Sequence, residues 1–371
     1  MIPYIITFIL SLLFTYMASK VSSRVGRILL SILAISGPVI LASFRDIGIG
    51  TDSLNYMNIY NGTKEYYSTT LKSYIDSSPE SVEYFFLVYN YLCSKIFTEY
   101  QFYLILCYII IITPVYIIAM SKRTELNPVF SMMFFYLVFY NESLNLMRQY
   151  ISIIFAFMAT IYLSDDKIRK SLIFSIIAIG IHNSSIIILI IYPIYRMLNK
   201  YSFRKYTMMY ILLFLGIVGF LVSLDSLNIV ILDSSERFSK YLNDQSGTLS
   251  SSTIILYLLI VTILFLSVKF CSTRKMEFFA LIAFLAFIFN FASTISHTMY
   301  RLSLIFNISS CISIPYALNC VGKNNLIVRR KYFAVLRFLM ISLVLYYWYF
   351  SVVLRGSNET YPYTSIILGI N

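Results

Sequence analysis

Charged side chains are scarce in this chain, because Asp, Glu, Lys and Arg make up only 12% of its 371 residues. A globular domain in water carries roughly a quarter. Hydrophobic residues account for 59% of the sequence, and the mean hydropathy is +0.77. This composition excludes a water-soluble domain and indicates a polytopic integral membrane protein.

Histidine and cysteine are also few, which narrows the chemistry. The two histidines cannot build a metal cluster, and the five cysteines are scattered and mostly inside apolar runs, where we expect them to pack as small hydrophobic side chains. The sequence has no Walker A motif, no GxSxG elbow and no HExxH motif. Nucleotide hydrolysis within the chain is therefore not expected, and a reaction of an already activated substrate fits better.

Apolar runs that approach membrane-crossing length recur along the whole chain. They predict an all-α bundle of about twelve transmembrane helices, forming a single transmembrane domain over residues 1–371. The predicted spans are Met1–Ser19, Ile28–Ser43, Tyr100–Met120, Pro128–Asn141, Arg148–Leu163, Ser171–His182, Ser184–Leu198, Thr207–Leu224, Thr253–Phe270, Glu277–Ser296, Tyr300–Asn319 and Ala334–Val353.

The run Ser81–Phe97 is apolar enough to count as a further span, but the distribution of Lys and Arg argues against it. If this run is an interfacial helix, six connecting segments fall on one side and hold 20 of the 29 Lys and Arg residues but only four of the 17 acids. The two sides then carry net charges of +16 and −4. The positive-inside rule makes the basic side cytoplasmic. The basic excess is thus a topology signal, and no nucleic-acid partner is expected.

The opposite, extracytoplasmic side has two long loops, residues 44–99 and 225–252. Long loops in compact proteins tend to be functional. Four cations at the rims of apolar runs on this side are Arg45, Arg148, His182 and Arg301. Cations in such positions point to an anionic, lipid-linked substrate.

The segment Phe44–Asp52 combines glycines with polar residues directly after an apolar run. Its glycines permit a tight turn, and the guanidinium fork of Arg45 suits phosphate oxygens. Asp52 either caps the next helix or orients Arg45. Alternatively, Arg45 pairs with Asp46 or Asp52 and only closes the loop.

Asn145, Arg148, Gln149 and Ser152 recur at i, i+3, i+4 and i+7, a spacing that predicts one face of a helix. An arginine at the centre of the hydrocarbon costs roughly 2.5 to 3.5 kcal/mol on insertion scales. We therefore expect this face to line a cavity or meet a partner. Snorkelling of Arg148 to the interface is the alternative.

The segment Gly180–Ser185 forms a polar hinge between two apolar stretches. A histidine there can exchange a proton near neutral pH, so His182 is the candidate general base, with Asn183 or Ser185 as orienting partners. The alternative is a histidine whose ring bonds a carbonyl at a helix end.

Asn290, Ser293, His297 and Arg301 would form one stripe if a single helix carried them all, whereas a turn before Tyr300 would break it. In either case, His297, Tyr300 and Arg301 lie close together in the chain. An interfacial belt that anchors span ends is the alternative.

In their order along residues 40–365, these motifs resemble those of polysaccharide polymerases of the EpsG-like branch of the Wzy-type proteins. The motifs that carry the resemblance are Arg45 with Gly48, Gly50, Asp52 and Tyr56, then an acid before an aromatic pair in Glu80–Phe86, then Arg148-Gln149, His182-Asn183-Ser184, Tyr300-Arg301 and Tyr361-Pro362-Tyr363. The chain departs from the pattern at Thr364, where a basic residue is expected.

The resemblance implies an inverting glycosyltransferase in the bacterial inner membrane. It would pass a growing glycan from undecaprenyl pyrophosphate to a lipid-linked repeat unit on the extracytoplasmic face, in the synthesis of O-antigen, capsule or exopolysaccharide. No metal or nucleotide cofactor is implied, and a chain-length regulator is a further expected partner.

On this interpretation, three arginines hold the departing diphosphate and a base deprotonates the acceptor hydroxyl. The diphosphate ligands are Arg45, Arg148 and Arg301, the base is His182, and Asp52 is a second candidate for base or acceptor positioning. The supporting residues are Tyr56, Gln149, Asn183, His297 and Tyr300.

Other membrane proteins that bind lipid-linked sugars would also need cations in these positions. A flippase or transporter is one class, although alternating access places its binding site near the midplane. An O-antigen ligase would share the diphosphate chemistry. An O-acetyltransferase would instead bind its donor on the cytoplasmic side. The clustering of the motifs at one face favours the polymerase.

Overall fold

The computed structural model describes residues 1–65, 70–78, 82–201, 211–212, 215–216, 219, 251–271, 273–293, 297–322 and 327–370. Helices form nearly all of the regular structure in these ranges, and the only β pairing there is an isolated bridge between Ser365 and Ile370. The predicted all-α class is confirmed.

The helices are numbered in chain order. Up to the polar hinge they are α1 Ile2–Lys20, α2 Arg24–Ser43, α3 Ser53–Glu65, α4 Leu71–Ser77, α5 Tyr84–Ile96, α6 Tyr100–Ser121, α7 Pro128–Phe135, α8 Asn141–Asn145, α9 Met147–Ser164 and α10 Ile168–Ile181. Beyond it they are α11 Ile191–Lys200, α12 Ser251–Phe270, α13 Arg274–Ala292, α14 His297–Asn307, α15 Ser310–Gly322 and α16 Ile327–Trp348. Two π-helical segments, Tyr136–Tyr140 and Tyr349–Leu354, and two 3₁₀ segments, Asn183–Ile190 and Ser357–Glu359, complete the set described.

Within the described residues, seven helices are long and apolar enough to cross a membrane. They are α1, α2, α6, α9, α12, α13 and the stretch Ala334–Leu354, which runs from α16 through the second π-helical segment. Helices α14 and α15, bent by 44° at their junction, would make an eighth span if they cross together. The chain is therefore a multi-pass membrane protein.

Three further predicted spans, Pro128–Asn141, Ser171–His182 and Ser184–Leu198, are not uninterrupted helices of that length. A π-helical segment separates α7 from α8, α10 has only 14 residues, and a 3₁₀ segment precedes α11. Hydropathy registers apolar composition but not these breaks in helical geometry. The predicted span Thr207–Leu224 and the predicted loop 225–252 lie almost entirely outside the described residues.

The predicted long loop 44–99 contains three helices, α3, α4 and α5. Helix α5 has 13 residues, too few to cross ~30 Å of hydrocarbon. It packs against α3, α4 and α10. The prediction that residues 81–97 do not span the membrane therefore agrees with the length of the helix.

A proline in α2 shows how the buried backbone is satisfied. Because Pro38 has no N–H, the carbonyl of Ala34 loses its helical partner, and Ser11 of α1 donates its hydroxyl to that oxygen at 2.6 Å. Tyr140 donates to the carbonyl of Pro38 at 2.7 Å. Since hydrocarbon supplies no partners for backbone groups, these bonds fasten α1 and the first π-helical segment to α2.

At one end of the bundle, acidic and basic side chains from different helix termini form an ion-pair network. Lys275 Nζ lies 2.7 Å from Asp165 Oδ1 and 3.0 Å from Glu125 Oε2, and Lys122 also pairs with Asp165. These residues come from three of the segments predicted to share the cytoplasmic side. The structure thus brings those segments together.

Candidate functional site

The centre of the candidate site is the short helix α8, which connects the first π-helical segment to α9. It ends at Asn145, and Leu146, with φ −94° and ψ 44°, interrupts the helix before Met147. The prediction of one continuous helical face from Asn145 to Ser152 is therefore wrong. The break turns Asn145 and Arg148 toward different partners.

Asn145 connects two distant parts of the chain. Its Oδ1 accepts hydrogen bonds from the backbone N–H of Asp52 at 3.0 Å and the hydroxyl of Thr51 at 2.5 Å. Its Nδ2 donates to Oδ1 of Asn358 at 3.2 Å. The loop after α2 and the segment that follows α16 are thereby held against α8.

Arg45 is buried, with 6% of its surface exposed. Its guanidinium donates to oxygens of the protein itself: Ala42 O, Ile49 O at 3.2 Å, Ser53 Oγ at 3.3 Å and Leu144 O at 3.1 Å. The expected alternative, a pair with Asp46 or Asp52, does not occur among these contacts, and Asp46 accepts instead from the N–H of Ile366 at 2.9 Å. The Arg45 fork therefore orders the loop through carbonyls.

Residues 44–52, the loop between α2 and α3, are called the Arg45 loop. This loop requires a glycine at position 50, where it meets α8. Its φ is +88°, and a Cβ added there would lie 2.9 Å from the carbonyl oxygen of Leu144. Its N–H donates to the carbonyl of Glu359 at 3.0 Å. The close approach of two backbones explains the glycine.

The segment 356–370, called the tail segment, closes the Arg45 loop from outside. The N–H of Asp46 donates to Thr364 O at 3.1 Å, and the hydroxyl of Tyr363 donates to Leu41 O at 2.8 Å. Tyr4 of α1 donates to Thr360 O at 2.8 Å. The loop, the tail segment and α1 thus form one hydrogen-bonded unit.

Glu83, just before α5, joins three elements of the site. Its Oε2 accepts from Nη1 of Arg148 at 2.9 Å, and its Oε1 accepts from the N–H of Asn183 at 3.1 Å. Oε1 also lies 3.8 Å from Nδ1 of His182. The side chain of Glu83 is only 8% exposed. Its carboxylate therefore fixes both α9 and the polar hinge.

His182 caps the 3₁₀ segment of the hinge. Its Nδ1 accepts from the backbone N–H of Ser184 at 3.3 Å, and the hydroxyl of Ser184 lies 2.9 Å away. Since a backbone N–H can only donate, Nδ1 must hold a lone pair, and these bonds assign the proton of the neutral ring to Nε2.

Burial lowers the pKa of His182 to about 4, and the positive charge of Arg148 acts in the same direction, whereas Glu83 opposes them. The hinge lies outside the seven candidate spans. The ring is therefore neutral at pH 7 and presents an N–H donor at Nε2.

A second buried carboxylate lies beside Arg301. Glu142 accepts from the hydroxyl of Tyr300 at 2.5 Å and from that of Tyr150 at 2.9 Å, and the charge of Arg301 also acts on it. Gln149 donates to the carbonyl of Arg301 at 3.2 Å. These contacts fasten α14 to α8 and α9.

The structure gathers most of the predicted site residues. Helix α14 packs against α9 and against the 3₁₀ segment of the hinge, and the charges of Arg148 and Arg301 both act on Tyr56 and on His182. Burial raises the pKa of Tyr56, and the negative charge of Asp52 adds to that shift. Arg45 lies in its own set of contacts, described above.

The predicted stripe from Asn290 to Arg301 is interrupted. Helix α13 ends at Ala292, α14 begins at His297, and the two helices pack against each other. The side chain of His297 belongs to the part of the chain that is not described. Tyr300, predicted as a neighbour of Arg301, donates its hydroxyl to Glu142.

Sequence reasoning did not assign roles to the two buried acids. Glu83 lies in the stretch that resembles the family's acid before an aromatic pair, and Glu142 is an acid at the edge of an apolar run, where charged residues are rare. Both signals were present in the sequence. Among the described residues, no three His, Cys, Asp or Glu side chains form a group that could hold a metal ion.

Comparison with known proteins gives one match. The model of the EpsG family matches residues 27–365, which is most of the chain. No curated protein and no solved structure matches it. Together with the membrane helices, the match indicates a membrane protein related to polysaccharide.

Proposed function

The chain belongs to the EpsG family, and we propose that it polymerises lipid-linked oligosaccharide repeat units. In this reaction a growing glycan leaves undecaprenyl pyrophosphate and is transferred, with inversion, to the next repeat unit. The reaction takes place on the extracytoplasmic face of the bacterial inner membrane and uses a polyprenyl-diphosphate donor. A chain-length regulator is a further proposed partner.

The observation that supports this proposal most directly is the convergence of two arginines from separate helices. Arg148 lies in the first turn of α9 and Arg301 in α14; these helices pack against each other, and both charges act on Tyr56 and His182. Arginine forks bind phosphate oxygens in two-pronged fashion. Two such groups whose charges act on the same two side chains suit the diphosphate that departs when the glycosidic bond is made.

The proposed chemistry uses the arginines in the transition state. Negative charge grows on the diphosphate as its bond to the sugar breaks, and fixed cations in a site of low polarity stabilise that charge. Tyr56 feels the charges of both arginines and of Asp52, so Tyr56 and Asp52 are suited to position the acceptor. Gln149 donates its side-chain amide to the backbone carbonyl of Arg301. Asn183 donates its backbone N–H to the carboxylate of Glu83.

Arg45 receives a different proposed role. Its guanidinium already donates to four oxygens of the protein. We therefore propose that Arg45 stabilises the loop that carries Asp52 and does not bind the diphosphate. His297 and Tyr300 remain proposed supporting residues of Arg301.

The test is chain growth in vesicles reconstituted with the purified protein and lipid-linked repeat units. Arg148→Ala and Arg301→Ala should each slow chain growth by about 100- to 1,000-fold, the usual effect of removing one group that stabilises transition-state charge. Arg169→Ala, an exposed cation in a predicted cytoplasmic segment, is the matched control and should retain activity.

The rival function, flipping of the lipid-linked repeat, gives a different result in cells. A deletion strain that lacks a polymerase makes surface glycans of a single repeat length. A strain that lacks a flippase accumulates the lipid-linked repeat facing the cytoplasm. Full activity of both arginine variants, or the second outcome in the deletion strain, would contradict the proposal.

A further inference from the structure

The hydrogen bonds of the hinge decide which side chain can accept a proton. Nδ1 of His182 already accepts from the N–H of Ser184, and the neutral ring carries its hydrogen at Nε2. A neutral histidine in this tautomer has no lone pair left for a substrate hydroxyl. His182 is thus arranged as a hydrogen-bond donor.

Glu83 has the opposite arrangement. Each of its carboxylate oxygens accepts one protein hydrogen bond, from Arg148 or from Asn183, and an ionised carboxylate offers about four acceptor positions in all. Lone pairs therefore remain on both oxygens. The side chain is nevertheless nearly buried, at 8% exposure, so its position is fixed.

We propose that Glu83 is the catalytic base that receives the proton of the acceptor hydroxyl, and that Nε2–H of His182 donates to an oxygen of the donor diphosphate. This assignment rests on the polymerase function proposed above. It replaces the role that the sequence suggested for His182 and adds a catalytic residue.

The proposed step is balanced. The acceptor hydroxyl oxygen forms a bond to the anomeric carbon of the donor glycan while its proton moves to Glu83. The bond from that carbon to the diphosphate oxygen breaks, and its electron pair stays on the diphosphate. Glu83 then returns its proton to water before the next cycle.

The ion pair between Glu83 and Arg148 explains how the base is controlled. In the free protein, Nη1 of Arg148 neutralises the carboxylate at 2.9 Å. A diphosphate bound to Arg148 shares that positive charge and brings negative charge next to Glu83. Both changes favour transfer of a proton to the carboxylate, so the base becomes effective only when the donor is in place.

The other carboxylates near the arginines are less suited. Each oxygen of Glu142 also accepts one hydrogen bond, but both donors are neutral tyrosine hydroxyls rather than an arginine that would bind the diphosphate. Asp52 acts on Tyr56 and is the nearest competitor. It therefore enters the experiment as a variant of its own.

Steady-state rates of chain growth are to be measured with purified wild type, Glu83→Gln, His182→Gln and Asp52→Asn and with synthetic lipid-linked repeats. Loss of a general base lowers kcat by about 100- to 10,000-fold. We expect a loss of this size in Glu83→Gln, while its KM for the donor stays close to that of wild type. His182→Gln keeps a side-chain N–H and should lose no more than about tenfold. Asp52→Asn should lose less kcat than Glu83→Gln.

A second variant protects the test against misfolding. Glu83→Ala leaves room for a small carboxylate, and added formate should restore part of its kcat, which a merely structural residue would not permit. Formate should not restore Arg148→Ala. Normal kcat in Glu83→Gln, absence of rescue in Glu83→Ala, or an equal loss of kcat in His182→Gln would overturn the assignment.

Failure of the polymerase proposal would look different. If wild-type protein does not lengthen the repeats, the proposed function itself fails. If wild type is active and Glu83→Gln is equally active, only the assignment of the base fails.

Discussion

Arg45 and Arg148 are the same residue type in different surroundings. Arg45 is 6% exposed and donates to three carbonyls and a hydroxyl. The side chain of Arg148 is 23% exposed, and its guanidinium donates to one carboxylate, that of Glu83. An arginine that orders a loop and one that waits for an anion differ in how many donors the protein already uses.

The matched substitution Arg→Lys at both positions should separate these roles. Lysine cannot reproduce the fork, so Arg45→Lys leaves buried oxygens without donors, at about 1–3 kcal/mol each. We expect Arg45→Lys to lower the thermal unfolding temperature in detergent. Arg148→Lys should keep that temperature, because its charge stays beside Glu83, but should lose chain growth. Equal unfolding temperatures for the two variants would contradict this reading.

The sequence was sufficient to locate the polar residues of the site. It did not reveal their hydrogen-bond partners, which determine the role of each residue. The positions of Arg148, His182 and Arg301 at the rims of apolar runs were readable from hydropathy alone. The partners of Arg45 are mainly backbone carbonyls, and carbonyls carry no residue-specific signal. The proton position on His182 depends likewise on a backbone N–H.

At the scale of helices, the lengths of the apolar runs predicted the long helices but not the breaks between shorter ones. The interruption at Leu146 follows from a local backbone conformation, and neither Leu146 nor its neighbours is a glycine or proline. The π-helical segment Tyr136–Tyr140 also contains no glycine or proline that would have predicted it. These breaks aim Asn145 and Arg148 at separate partners and so determine the site.

Helices α5 and α10 meet through a glycine, and this contact sets the distance between Glu83 and His182. A Cβ on Gly180 would lie 2.3 Å from the ring of Phe85, whereas one on Gly62 in α3 meets no atom within 4 Å. Gly→Ala inside a helix otherwise stabilises by roughly 0.5–1 kcal/mol. Gly180→Ala should therefore displace α5 and reduce chain growth.

Gly62→Ala is the matched control for that substitution. It should raise the unfolding temperature slightly and leave chain growth unchanged. Thermal unfolding and the vesicle assay measure both effects. Normal chain growth in Gly180→Ala would show that the spacing of α5 and α10 does not matter to the reaction.

At the scale of the whole molecule, polar residues separate to two ends of the bundle. One end has the ion pairs of Lys122, Asp165 and Lys275, and the other has the Arg45 loop and the tail segment. By the positive-inside rule we expect the first end to lie in the cytoplasm. We therefore propose that the active site faces outward.

Labelling of introduced cysteines with an impermeable maleimide tests this orientation. Asp76 in α4 and Lys167 before α10 are both exposed. The background must replace Cys271 and Cys320, which are partly exposed, whereas the other three cysteines are buried. In intact spheroplasts Asp76→Cys should react and Lys167→Cys should not, until the membrane is permeabilised. The reverse pattern would place the site on the cytoplasmic side.

The tail segment also imposes an order on biosynthesis. Its bond from Ile366 to Asp46 joins residues 320 positions apart, and bonds to Phe44 and Gly50 link the same two regions. During translation, the early loop enters the membrane long before these partners leave the ribosome. The loop that carries Asp52 must therefore wait, incompletely ordered, through most of synthesis. On the proposed function, we expect activity to begin only after the tail segment has bonded to this loop, so that a nascent chain would not act on lipid-linked sugar.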